Sequence, residues 1–336
     1  MNLNRETLYY RHRLSHQQID MLLGENNSSS FADDKMKILR NVKNFITVTD
    51  LFRKELIPFV PIKGPILSYR IYNDPAVRFS HDIDLLILLD DLTKVLDLLL
   101  GRGFRIIDCS CTADDFRRKL IIKNSHHMAF YNDKLQFCVE VHWTLTCMTP
   151  ISNDELMDIV HKNLIQINFA GRLFVVLNKE MELVYLILHG ARHGWCRLKW
   201  LIDIAYYPMD DLNMDLFYTL VNRFSADKVV KQTDQLLNLH FHRHLPFKTS
   251  NKPLGYIFKY AEYSINRKNV EPESLFQSYK HFRYLFFLFP EVSYKLKCVK
   301  AIFLSMNDVA NFKFSSQLAY YLYRPVSLIR RRILHV

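Results

Sequence analysis

Apolar and polar positions alternate between two periods up to about residue 150 and then settle largely on one. From Phe31 to about Leu56 the positions Ile38, Leu39, Val42, Phe45, Ile46, Val48 and Phe52 follow helical spacing and predict one long helix. Ile57–Ile62 is a short β-like run ending at Lys63-Gly64. Pro65 then suits the first turn of a helix reaching about Tyr72, where its missing N–H costs nothing. An apolar strand follows at Ile83–Leu88, then a helix capped by Asp90 or Asp91, running through Leu100 and closed by Gly101-Arg102-Gly103. Two further β-like runs, His126–Tyr131 and Gln136–Trp143, flank the turn-forming Asn132-Asp133 and read as a hairpin. Beyond about residue 150 the period is helical almost throughout, most clearly at Glu180–Ala191, Arg197–Tyr206 and Met214–Phe241. With the polar loop Asn26–Ser30, this divides the chain into an N-terminal helical extension (1–30), a mixed α+β unit (31–150) and a mainly helical unit (151–336).

Acids interrupt the apolar pattern at two places. Asp82 and Asp84 open the strand Ile83–Leu88, and positions i and i+2 of a strand point to one face. Two like charges side by side repel unless a cation neutralises them, so this strand end is a candidate divalent-metal site. Glu140 sits in Phe137-Cys138-Val139-Glu140-Val141-His142-Trp143, sharing a face with Cys138 and His142, while Val139 and Val141 point into the core. If the two strands are neighbours, Asp82, Asp84 and Glu140 form a three-carboxylate cage. Such a cage can hold two hard cations, bridge a nucleoside triphosphate and activate an attacking hydroxyl.

Composition narrows the class. With 49% hydrophobic and 13% aromatic residues the 336-residue chain can bury a large core, and its eight glycines argue against a glycine-rich dinucleotide fold. Cys109, Cys111, Cys138, Cys147, Cys196 and Cys298 form neither a disulfide framework nor a paired zinc motif. No secretory signal and no run of the roughly 18 apolar residues needed to cross a bilayer is evident, so the expectation is a reduced cytoplasmic protein without stable membrane insertion. The net charge of +11 is concentrated late, where residues 256–336 hold 13 Lys+Arg against 5 Asp+Glu. That asymmetry raises the prospect of an anionic partner.

Lys63-Gly64, Arg78-x-Ser80-x-Asp82-Ile83-Asp84-Leu85, Glu140-Val141-His142-Trp143 and the segment His189–Ala205 together resemble a family of uncharacterised bacterial nucleotidyltransferases. That family lies within the DNA polymerase β-like superfamily and is similar to the AbiEii-type toxins; the resemblance covers roughly residues 35–210. It implies an α+β fold, with a small mixed sheet and flanking helices forming a polymerase β-like core, followed by a mainly helical C-terminal domain. It implies transfer of a nucleoside monophosphate from an NTP to a hydroxyl or phosphate acceptor, with release of pyrophosphate. Asp82 and Asp84 would bind two Mg²⁺ ions (or Mn²⁺), and Glu140 the one that lowers the pKa of the incoming hydroxyl. The Gly64 loop would offer backbone N–H groups to the triphosphate, with Lys63, Arg78, Ser80 and Lys199 as further nucleotide contacts. The chain departs from the family pattern at Gly64-Pro65, where Gly-Ser or Gly-Gly is usual; proline removes one donor, and the nearest loop hydroxyls are Ser68 and Ser80.

The acceptor stays open between a small molecule, a peptide and a tRNA end. The competing reading is a degenerate nucleotidyltransferase that binds nucleotide or RNA without turnover, and a third is a membrane-surface scaffold using the basic, aromatic tail. In the His189–Ala205 segment, Lys199 and Asp203 are spaced i,i+4 and predict an intrahelical ion pair. His189 and His193 have a zinc-compatible spacing but no glutamate after His189 and no third ligand, so a zinc site is not expected there. Arg192, Lys199 and Asp203 are candidates to face the cleft.

Overall fold

The computed structural model describes residues 4–25, 31–107, 115–247, 254–270 and 274–332. Cys109 and Cys111 lie outside these residues; Cys138, Cys147, Cys196 and Cys298 are free thiols. Near the N-terminus a short π-helix, Thr7–Arg11, precedes α1 (His16–Leu23), which is opened by a Ser15 capping box. Helix α2 (Phe31–Lys54) has Asp33 and Asp34 in its first turn and Arg53 and Lys54 in its last, matching the charges of the helix dipole. Its Phe45, Val48 and Phe52 are buried, and each such side chain contributes about 1.5–3 kcal/mol by leaving water.

A five-stranded mixed sheet follows, formed by β1 (Val60–Pro61), β2 (Asp82–Leu86), β3 (Arg105–Ile106), β4 (His127–Asn132) and β5 (Phe137–His142). Its order is β1-β2-β5-β4-β3, with β2 and β5 parallel and the other pairs antiparallel. Between the strands lie α3 (Gly64–Tyr72), α4 (Leu92–Gly101) and α5 (Asp115–Asn124). The β4–β5 hairpin turns where expected, with Asn132 Oδ1 accepting from the N–H groups of Lys134 and Leu135, both at 3.0 Å. The start of α4 differs from expectation: a 3₁₀ turn at Leu89–Asp91 leads into it, and Asp91 makes no side-chain cap.

The helical period after residue 150 is broken once. After α6 (Asn153–Lys162), β6 (Leu164–Phe169) and β7 (Arg172–Leu177) form a separate antiparallel hairpin. Ala170 and Gly171 both have positive φ, +50° and +72°, as a two-residue type I′ turn requires. Helices then follow to the end: α7 (Lys179–Arg192), α8 (Leu198–Ala205), α9 (Met214–Arg223), α10 (Asp227–Phe241), α11 (Gly255–Asn266), α12 (Leu275–Phe286), α13 (Val292–Phe303), α14 (Met306–Asn311) and α15 (Gln317–Arg332). The helical stretch expected over Met214–Phe241 comprises two helices, separated at Phe224–Ala226, where Ser225 takes φ +49°. Among the described residues no helix is long and apolar enough to cross a membrane.

The two faces of the sheet meet different surroundings. Ile83, Leu85, Val139 and Val141 pack with α2, α4 and the β6–β7 hairpin, and with Leu304, Val309 and Tyr320 from near the C-terminus. On the opposite face Leu86 joins a second apolar cluster built mainly from α7, α8, α9 and α10, to which Leu8, Leu14 and Ile19 also belong. The late aromatics largely serve packing, since Tyr260, Tyr284, Tyr294 and Tyr320 are buried.

Candidate active site

Pairing of β2 with β5 sets Asp82 against Cys138, Asp84 against Glu140 and Leu86 against His142. Because strand side chains alternate, this register brings Asp82, Asp84, Glu140 and His142 onto one face, as the sequence pattern anticipated for neighbouring strands. His127 on β4 stands opposite His142 and joins them. Asp84, Glu140 and His142 each offer a ligand atom within 4.8 Å of the others, and His126, His127 and His142 form a second such group.

Cations already balance part of this charge. Lys63 Nζ lies 3.2 Å from Asp84 Oδ1. His142 Nε2 lies 3.1 Å from the same oxygen and 3.5 Å from Glu140 Oε2. Burial works to raise the Asp84 carboxyl, but Lys63 and His142 outweigh it and hold it well below the usual carboxylate range. Burial likewise works to raise Glu140, and the hydrogen bond from His142 brings it below its ordinary value. Asp82 makes no ion pair among the described residues, so burial, then Asp84 and Glu140, push its carboxyl up. The reciprocal effect raises His142 against its burial, whereas His127 is lowered to about 4 by burial and by His142. A divalent cation fits this donor set: the oxygens are hard, and burial together with the neighbouring like charges holds the Asp82 carboxyl at elevated pKa. The imidazole of His142, whose buried Nδ1 has no hydrogen-bond partner, admits a transition ion such as Mn²⁺ beside Mg²⁺.

The Lys63-Gly64 turn opens α3, with Pro65 in its first turn. Gly64 has φ +71°, a left-handed conformation that favours glycine, although a Cβ there would meet nothing nearer than Ser80 Oγ at 3.8 Å. Both nearby hydroxyls are engaged by the chain itself. Ser80 Oγ donates to the carbonyl of Asp82 at 2.7 Å, and Ser68 Oγ donates to the carbonyl of Asp74 at 2.8 Å and accepts from Arg78 N–H.

Helices α7 and α8 cover this face. Arg78 Nε donates to Asp203 Oδ1 and Oδ2 at 2.8 and 3.0 Å, tying the segment before β2 to α8. The expected Lys199–Asp203 pair is therefore not the principal contact; Lys199 Nζ instead donates to the carbonyl of Phe79 at 3.2 Å. Burial and then the charge of Arg78 lower Lys199 to about 7. His189 and His193 form no cluster of three metal donors among the described residues, and His193 stacks on Trp200 with centroids 4.9 Å apart.

A cavity of about 230 Å³ lies between the sheet face and these helices, and Lys63, Arg78, Ser80, Asp82, Asp84, Glu140 and Lys199 all line it. Gly64 is buried beside it rather than in its wall. Arg13, His81, His126, His127, Tyr185 and Arg197 line it as well and were not singled out from the sequence. The histidine pair was legible in principle: in an alternating strand one of His126 and His127 must share the face of Glu140. Arg13 and Tyr185 carried no local signal.

The profile of the uncharacterised nucleotidyltransferase family matches residues 24–242, more than half of the chain. Among solved structures the chain is similar to an antigenic nucleotidyltransferase-like protein from Paracoccidioides brasiliensis, at 14% identity and a TM-score of 0.32, covering 63% of this chain and 98% of that one. Comparison with curated proteins returns no match. The family profile spans the acidic strand, its Glu140 partner and the helices that close the cleft, and this chain belongs to the uncharacterised nucleotidyltransferase family.

Proposed function

We propose that this chain is a metal-dependent enzyme that transfers a nucleoside monophosphate from an NTP to an acceptor hydroxyl and releases pyrophosphate. The observation that carries the reading is the β2–β5 register, which brings Asp84 beside Glu140 with Asp82 on the same face. Asp82, Asp84 and Glu140 are the residues that would hold divalent cations, Mg²⁺ or Mn²⁺. Such cations, when bound, would supply Lewis-acid charge to the α-phosphate and lower the pKa of the attacking hydroxyl. Lys63 and Lys199, whose charges both act on Asp82, line the cleft and would bind triphosphate oxygens. Arg78 acts by holding α8 against the acidic strand. The Glu140 carboxylate takes the proton of the hydroxyl as its oxygen bonds to the α-phosphorus and the bond to the bridging oxygen breaks.

Pro65 and the Lys63–Asp84 contact favour one competing reading, a nucleotide-binding protein without turnover. One experiment separates the two. Purified protein is incubated with each α-³²P-labelled NTP, Mg²⁺ and total cell extract, beside Asp82→Ala/Asp84→Ala. Label that moves to an acceptor only with the native acids supports the enzyme. Metal-dependent nucleotide binding without transfer supports the binder, and loss of both removes the reading altogether.

A further inference from the structure

A second cavity, of about 720 Å³, opens beside the catalytic cleft. Its walls come from the end of α5, the segment after β5, the start of α6, the end of α7, and helices α12, α13, α14 and α15. Arg192 and His193 line both spaces, so the two meet at the C-terminal end of α7. The charge within it is one-sided. Lys123, Arg192, Lys297, Lys300 and Arg324 face it, against the single carboxylate of the exposed Asp154.

Most of these cations lack a counter-charge. Arg324 is paired with Asp308. Arg192 Nη1 contacts only neutral groups, His126 Nε2 at 3.0 Å and Thr146 Oγ1 at 3.3 Å. Lys297 Nζ donates to the carbonyls of Thr149 and Ile151 at 2.9 and 2.7 Å, which fix its head without neutralising it. Lys123 and Lys300 have no carboxylate partner among the described residues, and Lys300, lowered by burial, is lowered further by Lys123. Lys297 and Lys300 are half-buried and Lys123 is exposed at the rim, and holding such like charges together is unfavourable unless an anion joins them. Part of the excess positive charge of residues 256–336 faces this cavity, through Lys297 and Lys300.

We propose that this cavity is the acceptor site and that it takes a small molecule bearing one or more phosphate groups. The inference rests on the transferase reading above. Phosphate oxygens sit among Lys123, Lys297 and Lys300, while a hydroxyl at the other end of the molecule passes Arg192 and His193 into the cleft. There the hydroxyl oxygen bonds to the α-phosphorus, the bond to the β-bridging oxygen breaks with its electron pair leaving on pyrophosphate, and the hydroxyl proton goes to Glu140. The product is a phosphodiester between acceptor and nucleoside. Size and wall chemistry favour a small acceptor over RNA. The volume falls within the roughly 300–1,000 Å³ of small-molecule sites. No phenylalanine, tyrosine or tryptophan among the described residues lines it, and its two histidine rings, His193 and His281, are already stacked on Trp200 and Tyr284.

The test uses the full chain and two readouts. In the first, α-³²P-labelled NTP and Mg²⁺ are supplied with the small-molecule filtrate of a cell extract, with or without prior phosphatase treatment. Label should enter a small product, and phosphatase treatment should reduce it at least about tenfold. Lys123→Glu/Lys300→Glu should raise the acceptor KM about tenfold or more, as loss of charged hydrogen bonds implies, with NTP affinity unchanged; the milder Lys300→Gln should lie between. Label entering RNA or protein, or transfer indifferent to phosphatase, overturns the proposal. In the second, the cleft is filled with an α,β-methylene NTP analogue and fructose 1,6-bisphosphate is titrated as a probe. Binding weakened about tenfold in the double variant supports the site, whereas equal binding, or none to the native chain, overturns it. If the analogue itself fails to bind, the transferase reading falls and the acceptor role with it. Bisphosphate titration without analogue then reports separately whether the cavity binds phosphate.

Discussion

Replacing Asp203 with asparagine gives a sharp test of how the cleft is held together. The Arg78 and Asp203 side chains are 2% and 1% exposed, and Arg78 Nε reaches both carboxylate oxygens at 2.8 and 3.0 Å. Removing one member of a buried pair leaves an uncompensated charge and costs about 3–5 kcal/mol. Lys199 adds to the penalty, because burial and Arg78 lower its pKa while Asp203 raises it, so the same carboxylate steadies both cations. The arrangement suggested by sequence spacing, an i,i+4 Lys199–Asp203 pair on a helix surface, is worth only about 0.2–0.5 kcal/mol. The two arrangements therefore differ by roughly tenfold in free energy. The assay is urea and thermal unfolding. Asp203→Asn should lower the urea midpoint without changing the m-value, and lower Tm by roughly 6 °C or more at about 2 °C per kcal/mol. Arg78→Met/Asp203→Leu should recover most of the loss, since an apolar pair of similar volume tends to match or exceed a buried ion pair. A loss below about 1 kcal/mol for Asp203→Asn, or a double variant no better than the single one, would refute the buried strut.

The remaining predictions concern the acids, Lys199 and two glycines. Asp82→Asn should abolish transfer yet stabilise the metal-free protein at neutral pH by a few °C, roughly, in Tm. The sign follows from its pKa: burial, Asp84 and Glu140 raise it in the folded state, so the folded chain binds more protons than the unfolded one and loses stability as pH rises; a lower Tm for the variant would contradict this. Lys199, lowered to about 7 by burial and Arg78, loses its charge as pH rises through neutrality. Affinity for a non-hydrolysable NTP analogue should therefore decline over that range, and the decline should vanish in Lys199→Met; an identical profile in the variant would remove Lys199 from the nucleotide site. Gly64→Ala should cost about 1–2 kcal/mol through its φ of +71° alone, because no atom approaches the added Cβ closer than 3.8 Å. Gly190→Ala should cost more, since its Cβ would lie 2.6 Å from Trp195 Cε3, a ring that is fully buried. Urea midpoints rank the two glycine variants, and the reverse order would overturn the argument.

What the sequence settles by itself is which side chains share a face. The acids at 82 and 84, and Glu140 with His142, lie together because strand side chains alternate whatever the rest of the chain does. The same locality makes α2 and the β4–β5 hairpin readable, and marks Lys63-Gly64 as a turn. The β6–β7 hairpin was less legible, because Leu164-Ile165 and Val175-Val176 break the alternation of a half-buried strand and both runs lie among strongly helical neighbours. Periodicity names a face but not its partner. Only tertiary structure decides that Asp84 stands beside Glu140, 56 residues away in sequence, through a parallel pairing that no local turn dictates. Only it makes Arg78, at a separation of 125 residues, the ion-pair partner of Asp203 instead of the lysine one helical turn before it. The basic cavity is the extreme case: Lys123, Arg192, Lys300 and Arg324 are brought together from four helices, and each alone reads as an ordinary surface charge. The reason is physical. Alternation and helical repeat are fixed by backbone geometry within a few residues, whereas the energy of a charge depends on what else is packed within a few ångströms of it.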